Sequence, residues 1–201
     1  MAKTGVLIEI TEDNQVKKAN FGVITAARGP GDNEVIALVF NKDAESCKDA
    51  LQEYGVQKVV ALSAQGADTA SGPDVQARAA ADAVMHFGAD VLFGLSSAQG
   101  KDLLARIGAI LNTPMVLDCV EVNLAENTVT KFHFSGKTYA TLKVTGNQWV
   151  CGIRPNAIEA VPGPCEAEVI SYQAQVEDPG RMKITEVKKG DSEQIDLTEA
   201  D

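Results

Sequence analysis

The feature that most constrains this chain is a regular alternation of short apolar runs with helical patterns over its first 122 residues. The apolar runs are rich in β-branched residues and mostly continuous, as expected for strands covered on both faces of a sheet. Four helical patterns separate five such runs, which predicts strand–helix–strand crossovers and a five-stranded, doubly wound, mainly parallel sheet. The predicted strands are 5–10, 34–40, 56–62, 89–95 and 113–122, and the predicted helices are 18–28, 43–54, 73–87 and 99–111.

After residue 122 the pattern changes to period-two alternation of aromatic and β-branched residues. The runs TVTKFHFSG, TYATLKVTG and QWVCGIRPN are separated by short turn signals such as GK and GN, which favour hairpins. A further run, CEAEVISYQAQV, is expected to pair with them. The pattern therefore predicts an antiparallel β meander appended to the parallel sheet.

We predict one α/β domain over residues 1–175, with its parallel part in 1–122 and the meander in 123–175. Residues 176–201 are polar and have little to bury, which is typical of a linker.

The charge of the chain excludes some partners. Lys and Arg total 18 against 28 Asp and Glu, a formal net charge of −10. Such a chain repels a polyphosphate backbone, so we expect no nucleic acid partner. No run approaches the ~18 apolar residues of a membrane helix, and the start MAKTGVLIEI lacks the zones of a signal or transit peptide. We expect a cytoplasmic location of the bacterial type and no membrane insertion.

Motifs for metal binding or catalysis are missing from the sequence. The four cysteines form no C-x-x-C pair, and His86 and His133 lack neighbours at ligand spacing, so we predict free thiols and no metal site. No G-x-S-x-G or H-E-x-x-H motif occurs, so we predict no catalytic residues and no enzymatic activity. Asp118 and Glu121 leave two interpretations open: a carboxylate pair, or solvated residues where the sheet turns into the meander.

The stretch GLSSAQGKD, between a predicted strand and a predicted helix, is similar to a phosphate-binding loop. The match fails because five residues separate Gly94 from Gly100, and because Asp102 stands where a Walker A loop has Ser or Thr. The dinucleotide fingerprint fails as well, since no second glycine follows Gly94 after two residues.

Helix capping explains the same stretch better. Ser96 and Gln99 have the spacing of a capping box, and Asp102 is expected in the first turn, where a negative charge suits the helix dipole. Gly100 costs about 1 kcal/mol relative to alanine in a helix. Close packing of another backbone and close approach of a ligand are two explanations of that glycine, and both stay open.

The runs VLFGLSSAQGKDLLARIGAILNTPMVLDCVEV and FSGKTYATLKVTGNQWVCGIRPNAIEA resemble the N-terminal domain of the electron transfer flavoprotein alpha subunit. In that family a T-x-x-G-[RK]-x-x-x-x-R-x-A-x-x-L stretch opens the last helix of the parallel sheet. The later strands match through Gly136, Val144, Arg154 and Ala160. The matching residues of the helix are Ser97, in place of the usual Thr, Gly100, Lys101, Arg106, Gly108, where Ala is common, and Leu111.

The resemblance implies an adenine-nucleotide α-hydrolase-like fold and a non-catalytic scaffold role. It implies a heterodimer with the beta subunit, in a complex that carries electrons from flavin dehydrogenases, such as acyl-CoA dehydrogenases, to a downstream acceptor. In the family FAD lies mainly on a C-terminal domain. We therefore expect 176–201 to be a linker toward an FAD-binding domain that this sequence lacks, and this chain alone to bind no FAD or to bind it weakly.

An alternative function is a stand-alone nucleotide-binding module of the same fold. Its candidate residues are Ser96, Ser97, Gly100 and Lys101, because ligands of open α/β sheets gather outside the carboxyl ends of the strands. Under the scaffold interpretation, Lys101, Arg106 and Arg154 are candidates for the subunit interface, since Arg is enriched at protein contacts. Surface ion pairs are the other interpretation of the two arginines.

Overall fold

The computed structural model describes residues 2–11, 13–30, 33–40, 44–65, 72–177 and 185–186, and its first half follows the predicted alternation of strands and helices. The predicted linker 176–201 lies almost wholly outside the described residues. The strands are β1 (Lys3–Ile8), β2 (Glu34–Val39), β3 (Lys58–Ala64), β4 (Val91–Leu95), β5 (Met115–Asn123), β6 (Thr128–His133), β7 (Thr138–Lys143), β8 (Trp149–Ile153) and β9 (Glu168–Ala174). The helices are α1 (Ala19–Arg28), α2 (Glu45–Gln52), α3 (Pro73–Phe87) and α4 (Ala98–Leu111).

All nine strands of the described residues form one sheet, in the order β7-β6-β5-β8-β4-β1-β2-β3-β9. Every neighbouring pair from β5 to β9 in that order is parallel, and β5-β6-β7 is antiparallel. The predicted class, an α/β fold with a mainly parallel sheet and an antiparallel extension, is confirmed.

The sheet has a hydrophobic core on each face, because successive residues of a strand point to opposite sides. Val6 and Ile8 of β1 belong to the core that α1 and α2 cover, whereas Leu7 belongs to the core that α3 and α4 cover. Each fully buried aliphatic side chain contributes about 1.5–3 kcal/mol. The continuously apolar strands are thus explained by helices on both faces.

The prediction that 148–156 belongs to the antiparallel meander is wrong. Within this range, β8 pairs in parallel with both β4 and β5 and separates them. All five of its residues are buried, as in a central strand. The apolar run WVCGI is therefore the signal of a strand covered on both faces, and the parallel part holds β5, β8, β4, β1, β2, β3 and β9 rather than five strands.

The expected pairing of CEAEVISYQAQV with the meander is wrong as well. Its strand, β9, runs parallel to β3 at the opposite edge of the sheet, in register from Lys58 with Glu168 to Ala64 with Ala174. The reason is that β3 otherwise leaves an edge unpaired, and an added strand satisfies its backbone hydrogen bonds.

A crossing segment, residues 154–167, carries the chain from β8 to β9 over α1. The Ile158 carbonyl oxygen lies so close to Gly22 that an added Cβ at residue 22 would stand 2.2 Å from it. The Val161 amide donates to Thr25 Oγ1 at 3.0 Å. A glycine in α1 thus permits the backbone contact that guides the chain across the sheet.

Candidate functional site

An open cleft of about 730 Å³ lies beyond the carboxyl ends of β4 and β8, between the start of α4 and the β6–β7 hairpin. Its volume is within the usual range of small-molecule sites. The residues lining it are Ser96, Lys101, Asp118, Lys131, Phe132, His133, Phe134, Ser135, Gly136, Arg154 and Pro155.

Ser96 joins three strands at the floor of the cleft. Its amide donates to the Ile153 carbonyl at 2.7 Å, which ties the end of β4 to β8. Its Oγ accepts from the Asp118 amide at 2.9 Å, which ties both to β5. The predicted site residue Ser96 is therefore in the cleft, with its hydroxyl already engaged by backbone.

Asp118 is placed by an irregularity of β5. The pairing of β5 with β8 shifts register between Val116 and Cys119, and Asp118 has a φ of 61° in that interval. Its Oδ1 lies 2.8 Å from Lys101 Nζ, across the cleft floor. β-bulges commonly redirect a side chain in this way. Asp118 thus pairs with a cation rather than with a second carboxylate, and Glu121 does not line the cleft.

Arg154 and Phe132 form the wall on the hairpin side. The Arg154 guanidinium carbon lies 5.2 Å from the centre of the Phe132 ring, and the Tyr139 ring packs against Phe132 at a tilt of 38°, with centroids 4.9 Å apart. The Arg154 amide donates to the Cys119 carbonyl at 2.9 Å. A guanidinium held over a ring keeps its donors in a fixed plane.

The start of α4 differs from the predicted capping box. Ser97, not Ser96, is the N-cap, and its Oγ accepts from the Gly100 amide at 2.9 Å. With the cap shifted by one residue, Gln99 no longer has the reciprocal position. Asp102 falls beyond the first turn and its Oδ1 accepts from Arg106 Nε at 3.0 Å.

Gly100 is explained by a backbone contact. A Cβ at this position would stand 1.9 Å from the Leu95 carbonyl oxygen and 3.0 Å from Glu9 Oε1. Of the two explanations left open by the sequence, close packing of another backbone therefore accounts for the glycine.

Glu9 occupies the crevice between the ends of β1 and β4, where open α/β sheets bind ligands. Its side chain is buried, with Oε1 accepting from the Ser97 hydroxyl and Oε2 3.2 Å from Lys17 Nζ. A carboxylate at this place repels a phosphate and takes the hydroxyl that a phosphate would use. The residues of this crevice therefore do not fit the diphosphate of FAD or of another nucleotide.

Arg106 lies outside the cleft and joins two helices. It forms ion pairs with Asp74 of α3 and Asp102 of α4. Of the predicted candidates, Ser96, Lys101 and Arg154 thus line the cleft together. Ser97 and Gly100 lie beside it at the start of α4 without lining it, and Arg106 lies farther along the helix. Whether Lys101, Arg106 or Arg154 contacts a partner stays a prediction.

Several cleft residues escaped the sequence prediction. Phe132, Phe134 and Ser135 belong to a hairpin that looked like an ordinary meander, and its FSG turn was the available signal. Glu9, in the neighbouring crevice, was not predicted either; the available signal is that it is the one acid in the apolar run GVLIEI, where a buried carboxylate requires partners.

The cysteines and histidines lie at scattered places in the described part of the chain, and His133 is among the residues that line the cleft. All four cysteines are free thiols, and burial raises the pKa of the Cys151 thiol well above its usual range. The His86 ring lies 4.5 Å from that of Tyr172. No three His, Cys, Asp or Glu side chains within the described ranges are grouped so as to hold a metal ion. None of the helices in these ranges has the length and apolar character needed to cross a membrane.

A comparison with known protein families identifies the chain. The profile of the electron transfer flavoprotein domain matches residues 4–198. The chain belongs to this family. The match includes both the parallel sheet and the antiparallel hairpin, so the fold and the family agree.

Curated relatives of the family carry the same subunit name. The chain is 28% identical over its full length to the electron transfer flavoprotein subunit alpha of Bacillus subtilis, and covers 62% of that protein. It is 27% identical to the subunit alpha of Syntrophomonas wolfei over 79% of the chain and 50% of the relative. It is 28% identical to that of Mycobacterium leprae over 92% of the chain and 57% of the relative. The chain thus spans about half to three-fifths of the length of these relatives.

Proposed function

We propose that this chain is the N-terminal scaffold domain of an electron transfer flavoprotein alpha subunit. It forms a heterodimer with a beta subunit, in a complex that carries electrons from flavin dehydrogenases, such as acyl-CoA dehydrogenases, to a downstream acceptor. The main support for this proposal is the match of the family profile to residues 4–198, together with relatives named as alpha subunits. The chain itself performs no catalysis in this proposal.

In this proposal FAD is held mainly outside this chain, in the remaining length of the subunit. The support is Glu9, whose buried carboxylate and its bond with Ser97 fill the crevice at the ends of β1 and β4, where ligands of open α/β sheets gather. We also propose a cytoplasmic location, which the four free cysteines support because thiols stay reduced there.

The β6–β7 hairpin is the surface that we propose for the beta subunit. Phe134 is 70% exposed and Tyr139 is 68% exposed, both on this hairpin, and Leu142 on β7 is exposed as well. Within the described residues, strand β7 is also an edge of the sheet, where unpaired backbone groups can receive another chain. Exposed aromatic side chains at such a place are typical of protein interfaces.

The test is co-expression of the chain with its beta subunit, followed by measurement of the complex mass by light scattering. We expect a one-to-one complex that Tyr139→Asp weakens by about tenfold or more, because a charge replaces an aromatic anchor. Met85→Asp is the matched control, since Met85 is 59% exposed but lies on α3. Equal weakening by both variants would contradict the hairpin surface.

Absence of any complex would contradict the scaffold role. If AMP, ATP or FAD raised the melting temperature of the chain alone while no beta subunit bound, the alternative of a stand-alone nucleotide-binding module would be supported instead.

A further inference from the structure

Among the described residues, unusual backbone conformations occur at the cleft. Seven described residues other than glycine have a positive φ, and four of these are asparagines, a residue type that tolerates this conformation. The other three all line the cleft: Asp118 with φ 61°, Phe134 with φ 48° and Ser135 with φ 55°. Such strain is concentrated at functional sites because the surrounding structure must hold it.

The charge of the cleft is opposite to that of the whole chain. Three cations, Lys101, Lys131 and Arg154, line it together with one carboxylate, Asp118, although the chain carries a formal net charge of −10. Lys101 pairs with Asp118, whereas Lys131 and Arg154 form no ion pair with any carboxylate of the described residues. An excess of unpaired cations in a concave surface raises the local concentration of anions.

Arg154 presents its guanidinium at the hairpin wall of the cleft. Its backbone is bonded to Cys119 and its guanidinium lies over the Phe132 ring, so two contacts limit the conformations it can adopt. A planar guanidinium binds the two oxygens of a carboxylate or phosphate in parallel. The Lys101 ammonium, held by Asp118 at 2.8 Å, supplies a second cation from the other side.

We propose that this cleft binds a small organic anion through a phosphate or carboxylate group, with Arg154 and Lys101 as its ligands. The groups converge from the helix α4, the end of β8 and the β6–β7 hairpin, around about 730 Å³. Cations that converge on one concave place from three separate elements favour a compact anion. The site is separate from the crevice that Glu9 fills, and it does not depend on the proposed scaffold role.

The test is an NMR titration of the ¹⁵N-labelled 201-residue chain, without a beta subunit, using pyrophosphate in one arm and tricarballylate in the other. We expect saturable shifts of the Lys101, Ser135 and Gly136 amides with at least one of the two probes. The arm that binds more tightly distinguishes a phosphate from a carboxylate ligand.

Arg154→Gln and Lys101→Gln should each weaken binding by about tenfold, the loss of one charge-assisted hydrogen bond. Lys143→Gln is the matched control, because Lys143 is an exposed cation of the same hairpin outside the cleft, and it should leave the affinity unchanged. Thermal melting of each variant verifies that it is folded.

The proposal is overturned if neither probe binds by about 10 mM, or if Lys143→Gln weakens binding as much as Arg154→Gln. It is also overturned if only an acidic peptide binds, since the cleft would then be a docking surface for a protein segment.

Discussion

Gly100 and Gly108 lie in the same helix, α4, but in opposite environments. An added Cβ would stand 1.9 Å from the Leu95 carbonyl oxygen at residue 100, whereas at residue 108 its nearest neighbour would be Met115 Cβ at 3.5 Å, an ordinary contact. We expect Gly100→Ala to destabilise the fold by about 1–3 kcal/mol, because the backbone must move. We expect Gly108→Ala to be neutral or to stabilise by up to about 1 kcal/mol through helix propensity.

Urea unfolding of the two variants measures this difference directly. If both variants changed the free energy of unfolding equally, helix propensity alone would explain both effects. The contact with the Leu95 carbonyl would then contribute nothing to the cost at residue 100.

Tyr172 makes the stability of the fold depend on pH in the alkaline range. Burial, and then the hydrogen bond of its hydroxyl to Asp82 at 2.8 Å, raise the pKa of Tyr172 to about 12. The folded state thus holds this proton more tightly than the unfolded state, whose tyrosine pKa is about 10. The associated stability is present below about pH 10 and is lost as pH rises toward 12.

We therefore expect the free energy of unfolding to fall less for Tyr172→Phe than for wild type when the pH is raised from about 9 to about 12. These limits bracket the titration of Tyr172. Tyr139→Phe, at an exposed position, should follow wild type. Parallel curves for wild type and Tyr172→Phe would contradict the assigned cause.

Among the contacts between secondary-structure elements, those of Arg28 on α1 hold the crossing segment, residues 154–167, in place. Its Nη1 donates to the Tyr54 carbonyl and its Nη2 to the Val161 carbonyl, each at 3.0 Å. The guanidinium thus joins α1, the end of α2 and residues 154–167. This one side chain donates to carbonyls of two separate segments. Its loss should therefore destabilise residues 154–167 locally, and the sheet less.

We predict that Arg28→Gln lowers stability by about 1–3 kcal/mol and speeds amide hydrogen exchange at Gly163 and Cys165, whose amides donate to α2 and its end. Arg78→Gln, at an exposed position on α3, is the control and should change neither quantity. Faster exchange spread evenly through β1 and β4 would argue against a local fastening role.

Elements also show where local patterns fail to predict pairing. The bounds of α1 and α3 follow closely from the sequence, since Pro73 and Gly88 mark the start and end of α3. The place of β8 did not follow, because a strand pattern specifies which faces are buried but not which strands are its neighbours. The run of five buried residues in β8 would look the same between any two strands at the centre of a sheet.

For the whole molecule, the last strand closes the edge that the first half leaves open. A chain of residues 1–154 has no β9, so β3 becomes an edge strand and the neighbouring apolar residues of the α3 face lose their cover. We expect this shorter chain to aggregate or to lose cooperative unfolding, because long unpaired apolar edges associate. Size-exclusion chromatography and thermal melting against the full chain measure this.

Adding a peptide of residues 155–177 should restore a cooperative transition, since the register with β3 is complete within it. A shorter chain that melts like the full chain without the peptide would show that β9 contributes little to the fold.

Patterns within single segments were enough to predict the α/β class, the order of the first strands and helices and the lack of known catalytic motifs. These features are local, because each segment carries its own helix or strand periodicity and its own proline and glycine signals. The family followed from local motifs in the same way, and the profile match confirmed it.

Three features required the folded chain: β8 enters the parallel sheet, Glu9 fills the crevice beside α4, and Lys101 and Arg154 line one cleft. Each of these depends on contacts between residues far apart in the chain. Such contacts are selected by the joint burial of whole strands and helices, which no single stretch of sequence specifies.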